Sequence, residues 1–191
     1  ELFARWIQLG VFHPFCRTHS SGHHGDQEPW SFGEEVLQVT KKFIELRYTL
    51  LPYLYTMFWE YITYGKPMIK PLYYIDQEDT QTHYRTDEFL CGDHLLVCPV
   101  LEPNALGRRM YVPRGDWYNY WNGEHIIGGK ECYVEAPLDQ IPLFVRAGAA
   151  IPRYPVQQYV GETTIEELEI DMYYTHNDVR SRIYTDKGDG Y

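Results

Sequence analysis

The sequence predicts an α+β chain in which a helix, a strand and a long helix precede an all-β sandwich. Three observations carry that reading. Apolar residues recur at helical spacing before Gly65 and give way afterwards to short apolar runs. Those later runs are separated by Gly, Pro, Asn and Asp, the residues that build turns between strands. With 44% hydrophobic and 23% charged residues in a chain of 191, the composition is that of a globular protein.

Glu1 to Leu9 places Leu2, Trp6 and Leu9 at helical spacing, and Gly10 is expected to end the helix. The apolar run 11–16 is predicted as one buried strand, with Pro14 near its end. A Gly-, His- and Ser-rich loop follows through Gln27. From Ser31 or Phe32 to Tyr64 the pattern is helical again, with Val36, Val39, Phe43, Leu46, Leu50 and Leu54 on one face. Glu34 and Glu35 fall in its first turn, where the helix dipole favours them. Pro52 predicts a kink or a junction of two helices, and Gly65 predicts the end.

Beyond Gly65, strands are predicted at 68–75, 94–100, 109–112, 117–121, 143–145, 167–174 and 181–185. Asn122-Gly123 and Gly128-Gly129 are expected to close hairpins, and 186–190 to form a turn. Regular short strands with such turns point to a sandwich rather than to βαβ units. The helix–strand–helix piece before Gly65 cannot bury its own apolar faces, because its strand has no partner there. It is expected to be the tail of a larger α/β domain.

Charge and composition exclude several classes. Lys+Arg number 17 against 27 Asp+Glu, so the net charge of −10 argues against a nucleic-acid partner. No apolar run approaches the roughly 20 residues of a membrane helix, and no membrane partner is expected. Cys16, Cys91, Cys98 and Cys132 lack CxxC spacing. A Cys91–Cys98 bridge is conceivable, and buried free thiols are the preferred reading. His13, His19, His23, His24 and Asp26 match no zinc spacing, so they read as solvated loop residues, and neither metal nor cofactor is expected. Aromatics reach 16%, which suits thick cores and sugar-stacking surfaces alike. Trp117 and Trp121 fit either use, while Trp30 is expected to pack its loop onto the rim of the larger α/β domain rather than to stack on a sugar.

Residues 5–19, RWIQLGVFHPFCRTH, resemble the RWxQLGxFxPFxRxH signature of glycoside hydrolase family 31. QEPW at 27–30, LRYTLLPYLY at 46–55, FLCGDHLLVCPV at 89–100 and IPLFVRAG at 141–148 continue the resemblance in the family's order. It implies an α+β fragment: helix seven, strand eight and helix eight of a (β/α)8 catalytic barrel over 1–65, then a proximal β-sandwich over 66–160. Residues 161–191 would open a distal β-domain, where 184–191 resemble a YxDDGxxY turn with Lys187 in place of the second Asp. On this mapping the chain is expected to be cut at both ends.

The resemblance further implies a retaining α-glucosidase that removes terminal α-linked glucose from oligosaccharides, with the remainder of the barrel as partner. α-Xylosidase, α-galactosidase and transglucosidase activities belong to the same family. A non-catalytic carbohydrate-binding or structural β-sandwich is the alternative. Retaining hydrolysis needs two carboxylates ~5 Å apart. In the family both are aspartates on barrel strands four and six, upstream of every residue here, so no catalytic residue is expected in this chain. Barrel enzymes gather their chemistry at the C-terminal ends of the strands. His19, just past strand eight, is thereby implied to bind sugar hydroxyls, and Arg17 to support the pocket by pairing with barrel carboxylates.

Overall fold

Leu95-Leu96-Val97 and Leu143-Phe144-Val145 are unbroken apolar runs, and antiparallel strands read that way when both sheet faces are dry. The computed structural model, which describes residues 1–176 and 179–188, bears this out. Its helices are α1 (Leu2–Gly10), α2 (Glu34–Thr49) and α3 (Leu51–Tyr64). Its strands are β1 (Ile69–Lys70), β2 (Phe89–Cys91), β3 (Leu95–Val97), β4 (Gly107–Val112) and β5 (Asp116–Asn119). They continue with β6 (His125–Ile127), β7 (Lys130–Glu135), β8 (Leu143–Arg146), β9 (Ala150–Arg153) and β10 (Glu169–Met172).

Six strands form an antiparallel sheet in the order β1-β2-β3-β8-β5-β6. Register fixes the two faces: Leu90 lies opposite Leu96, and Leu96 opposite Phe144. With Trp117 these residues meet Met110, Val112, Cys132 and Val134 of the β4–β7 ribbon, which covers that face as the second layer of a sandwich. Cys91, Leu95, Val97, Leu143 and Val145 point the other way, onto Val36, Val39, Phe43, Leu50, Tyr53 and Leu54 of the helices. The order of layers is therefore helices, sheet, ribbon. Strands β9 and β10 form a separate pair.

The helices break where the proline requires it. Thr49 ends α2, Leu50 sits at φ −85°, ψ 0°, and Pro52 occupies the first turn of α3. There its missing N–H costs no helical bond. Gly65 ends α3 in the left-handed conformation, at φ 67°.

Helix α1 reverses an expectation. Leu2 and Trp6 are 72% and 62% exposed, while Ala4, Arg5, Ile7 and Gln8 turn inward. The Arg5 guanidinium donates to the carbonyls of Ala136 (2.8 Å), Gln140 (3.0 Å), Pro137 (3.2 Å) and Ala105 (3.3 Å), and to Gln8 Oε1 (3.1 Å). Gln8 Nε2 donates to the Leu138 carbonyl at 2.5 Å. These bonds join α1 to the loop before β8 and, through Ala105, to the loop before β4.

Other expectations are corrected. Residues 11–16 form no strand: the bonds Val11 N–H to Ile7 O (3.1 Å), Phe12 N–H to Leu9 O (3.2 Å) and His13 N–H to Gly10 O (3.0 Å) prolong α1 into a turn. A strand needs a neighbour for its ladder, and no described strand lies beside this run. Residues 181–185 are irregular, because side chains hold them instead of a ladder. Ser181 Oγ donates to Ala150 O (2.8 Å), Tyr184 N–H to Thr56 Oγ1 (3.0 Å), and the Tyr184 ring stacks 5.0 Å from Trp59.

Gly128-Gly129 closes no hairpin, since β6 and β7 lie in different sheets and the pair carries the crossover between them. Asn122-Gly123 does join the paired β5 and β6. The run 68–75 is reduced to β1 and a single 3₁₀ turn, Leu72–Tyr74. In the expected 186–190 turn, Gly188 N–H donates to Asp186 Oδ1 (2.9 Å), and Asp189 and Gly190 lie outside the described residues.

The β2–β3 turn is built against a side chain of α3. Tyr53 Oη donates to Cys91 O (2.8 Å) and accepts from the His94 N–H (3.3 Å). Gly92 lies beneath it at φ 67°, where a Cβ would fall 2.2 Å from Tyr53 Oη. Gly92→Ala therefore combines backbone strain with a clash and should cost about 2–4 kcal/mol. Urea denaturation measures it. On a Tyr53→Phe background the cost should shrink, and strict additivity would refute the contact.

Beside that turn, Lys70 is 1% exposed and pairs with Asp93, which also takes Lys66; Lys66 reaches Glu60 at 2.9 Å. Burial alone would raise the Asp93 pKa, but hydrogen bonds from the two lysines outweigh it and hold the group below its ordinary value. Stability from this lowered pKa is fully present above roughly pH 4, the unfolded value, and is lost as pH falls through the folded one. Urea midpoints between pH 6 and pH 2 should drop along this limb. Asp93→Asn should start lower at neutral pH, because Lys70 loses its counter-ion, and then decline less steeply in acid.

Candidate functional site

The segment after α1 is shaped by one side chain of α2. Arg47 Nη1 donates to Val11 O (2.6 Å) and His13 O (2.8 Å), and Nη2 to Pro14 O (3.2 Å). Carbonyls that a ladder would have used are thus taken by a guanidinium, which satisfies them outside any sheet. On the far side Phe3 stacks on Phe32, with ring centres 4.3 Å apart.

Between these supports lies an open cleft of about 650 Å³, whose lining includes Trp6, Phe15, Arg17, His19 and Gln27. The structure brings the two expected site residues to this one cleft. Both are exposed, and the Arg17 guanidinium rests 5.5 Å from the centre of the Phe15 ring. A neutral imidazole donates from one ring nitrogen and accepts at the other, so His19 can serve two neighbouring hydroxyls. Among the residues lining the cleft, Glu1 alone carries a carboxylate, and its oxygens accept from the Asn104 N–H at 2.9 Å. A facing pair of carboxylates is not formed in it.

The other expected residues separate. His23, His24 and Asp26 are exposed, and among the described residues no group of His, Cys, Asp or Glu is placed to hold a metal. Trp30 is 67% exposed, and Phe32 stacks on Phe3. Trp117 is fully buried and donates from Nε1 to Pro113 O (2.8 Å), while Trp121 Nε1 donates to Ile141 O (2.7 Å). Core packing accounts for both, and no sugar platform is formed there.

Buried ionisable groups elsewhere support the fold. Both Glu88 oxygens accept from the Tyr111 N–H, at 3.0 and 3.1 Å, and burial raises its pKa. All four cysteines are free thiols; Cys91 and Cys98 are buried, as preferred above, and belong to opposite faces of the sheet, while Cys16 and Cys132 are only partly buried. Burial pushes the Cys91 thiol up to about 12, which leaves it unreactive. Arg5, Gln8, Arg47 and Tyr53 were missed as supports. Their signal was a charged or polar residue inside an apolar helical face.

Residues 1–57 match the model of the glycosyl hydrolases family 31 TIM-barrel domain, and residues 65–151 that of the glycosyl hydrolase family 31 C-terminal domain. Alpha-glucosidase 2 of Bacillus thermoamyloliquefaciens is 41% identical over 151 residues, covering 79% of this chain and 19% of its own length. A 1,6-alpha-glucosyltransferase of Sporosarcina globispora is 32% identical over 194 residues, which is 100% of this chain and 15% of that protein. Among solved structures, a Flavobacterium johnsoniae GH31 dextranase complexed with glucose superposes with a TM-score of 0.87 at 38% identity. It covers 91% of this chain and 21% of its own. The chain thus spans about a fifth or less of each of these proteins.

Arg47→Met should release the carbonyls of residues 11, 13 and 14 and loosen the wall that carries Arg17 and His19. Hydrogen exchange of the amides at 12–19, Pro14 excepted, is expected to accelerate at least tenfold, while those of β3 and β8 stay protected. Unchanged exchange in the segment would show that something other than Arg47 holds it.

Proposed function

The chain belongs to glycoside hydrolase family 31, and from that premise we propose that the protein containing it removes terminal α-linked glucose from oligosaccharides with retention of configuration. The observation that carries the reading is the meeting of Arg17 and His19 on one cleft, within the stretch that matches the barrel domain. His19 would hold neighbouring hydroxyls of the sugar at the reacting subsite. Such bonds tighten as the ring flattens toward its oxocarbenium-like transition state. Arg17 would stand behind it and pair with a carboxylate of the remaining barrel.

Retention requires one carboxylate to attack the anomeric carbon while another protonates the leaving oxygen. Water then cleaves the glycosyl–enzyme ester as the second group takes back a proton. This chain's cleft holds no such pair, so both carboxylates are assigned to the rest of the barrel, and the chain by itself is proposed to be inactive. The exposed Leu2, Trp6 and Phe15 offer that remainder an apolar face. We assign residues 1–65 to the barrel, 66–160 to the proximal sandwich and 161–191 to the start of a distal β-domain. A second reading, glucosyl transfer to a sugar hydroxyl instead of water, is favoured by the similarity of the whole of this chain to 15% of the glucosyltransferase.

In the complete enzyme, His19→Ala should remove about 2–4 kcal/mol of transition-state stabilisation. Initial rates on an aryl α-glucoside give kcat/KM directly. A loss below tenfold would reduce His19 to loop decoration. The isolated chain should release no p-nitrophenol above buffer.

A further inference from the structure

Strand β6 is an edge of the six-stranded sheet, and the segment after β10 passes close to it. A recess of about 250 Å³ lies there, its lining including Asp116 and Tyr118 of β5, His125 of β6, Tyr174, Thr175 and His176. It shares no lining residue with the cleft of Arg17 and His19. Its side chains hold one another. Tyr118 Oη donates to Tyr174 O (3.1 Å), His125 Nε2 meets Asp116 Oδ1 (3.0 Å), and Tyr174 Oη meets His176 Nδ1 (3.0 Å). The Tyr118 ring lies 5.1 Å from that of His125 and 5.9 Å from that of Tyr173.

These contacts do little for the core, since Tyr174 is 64% exposed and Asp116 and His125 are exposed as well. What they do is fix a wall of rings whose edges carry both donors and acceptors. Each lock uses one polar atom and leaves another. Asp116 Oδ2, His125 Nδ1 and His176 Nε2 have no partner among the described residues.

We propose that this recess binds one neutral pyranose unit of an α-glucan. The C–H face of a pyranose lies well on a tyrosine ring, while its hydroxyls suit a carboxylate and imidazoles that can donate or accept. Asp116 opposes a phosphate or other anion, and the polar ring edges oppose an apolar guest. A volume below the roughly 300 Å³ at which drug-sized pockets begin fits a single sugar ring. Side chains already locked by their neighbours lose little freedom on binding. The recess stands apart from His19, while the choice of an α-glucan as its ligand rests on the activity proposed above.

The test uses the complete enzyme containing this chain and a sulfur-linked isomaltoside that glycosidases do not cleave, followed by titration calorimetry. His19→Ala should leave a residual binding event. Tyr174→Ala and Asp116→Ala, each placed on that background, should weaken it at least fivefold. Residual binding that neither substitution changes overturns the proposal, and so does its absence in His19→Ala. If Tyr174→Ala fails to fold, the exposed Asp116→Ala decides alone. Failure of the catalytic reading would appear separately, as unaltered turnover in His19→Ala.

Discussion

A guanidinium withdrawn from water without a carboxylate must find its partners in the backbone, and the placement of Arg5 follows from that. Burial pulls its pKa down against the opposing charge of Glu1, and four carbonyls of two loops converge on its two terminal nitrogens, while Nε has no partner among the described residues. Leaving such a charge unpaired costs several kcal/mol, so α1 has one acceptable position against the sheet layer. Gln8 repeats the arrangement one turn further along, to Leu138 O. The direction in which α1 delivers the chain to its next turn is set by these bonds.

Arg47 applies the same chemistry from the opposite side. The stretch from Val11 to Pro14 is shaped by the Arg47 donors that reach its carbonyls, with no strand of its own. The dry six-stranded sheet provides the wall on which both helices can be fixed. Its two faces are filled by different partners, and Tyr53 ties one of its turns to α3. The cleft is therefore a by-product of helix docking.

Much of this was legible in the residues. Pro52 and Gly65 set helix ends by local sterics, and the apolar run through Leu95-Leu96-Val97 marked a strand. Strands β6 and β7 escaped, because half-exposed sequences like Lys130–Glu135 carry too few apolar residues for a period to stand out. The run 11–16 misled for another reason. Its strand propensity is real, but a ladder is a property of two chains' backbones, and propensity cannot supply the neighbour. The family motif located Arg17 and His19, yet spacing alone could not tell that Arg5 and Arg47, in the same motifs, serve carbonyls.

The order β1-β2-β3-β8-β5-β6 also has a temporal meaning. The central strand β8 joins β3 to β5, yet it is made after both. On a ribosome, the β2–β3 and β5–β6 hairpins emerge first, each with a strand edge that nothing covers. Only when Leu143–Arg146 leaves the exit tunnel can the two halves be joined. Closing contacts so distant in sequence is slow, and unpaired strand edges are adhesive in the meantime. The interval before β8 appears is the stage of biosynthesis at which this architecture most needs a chaperone.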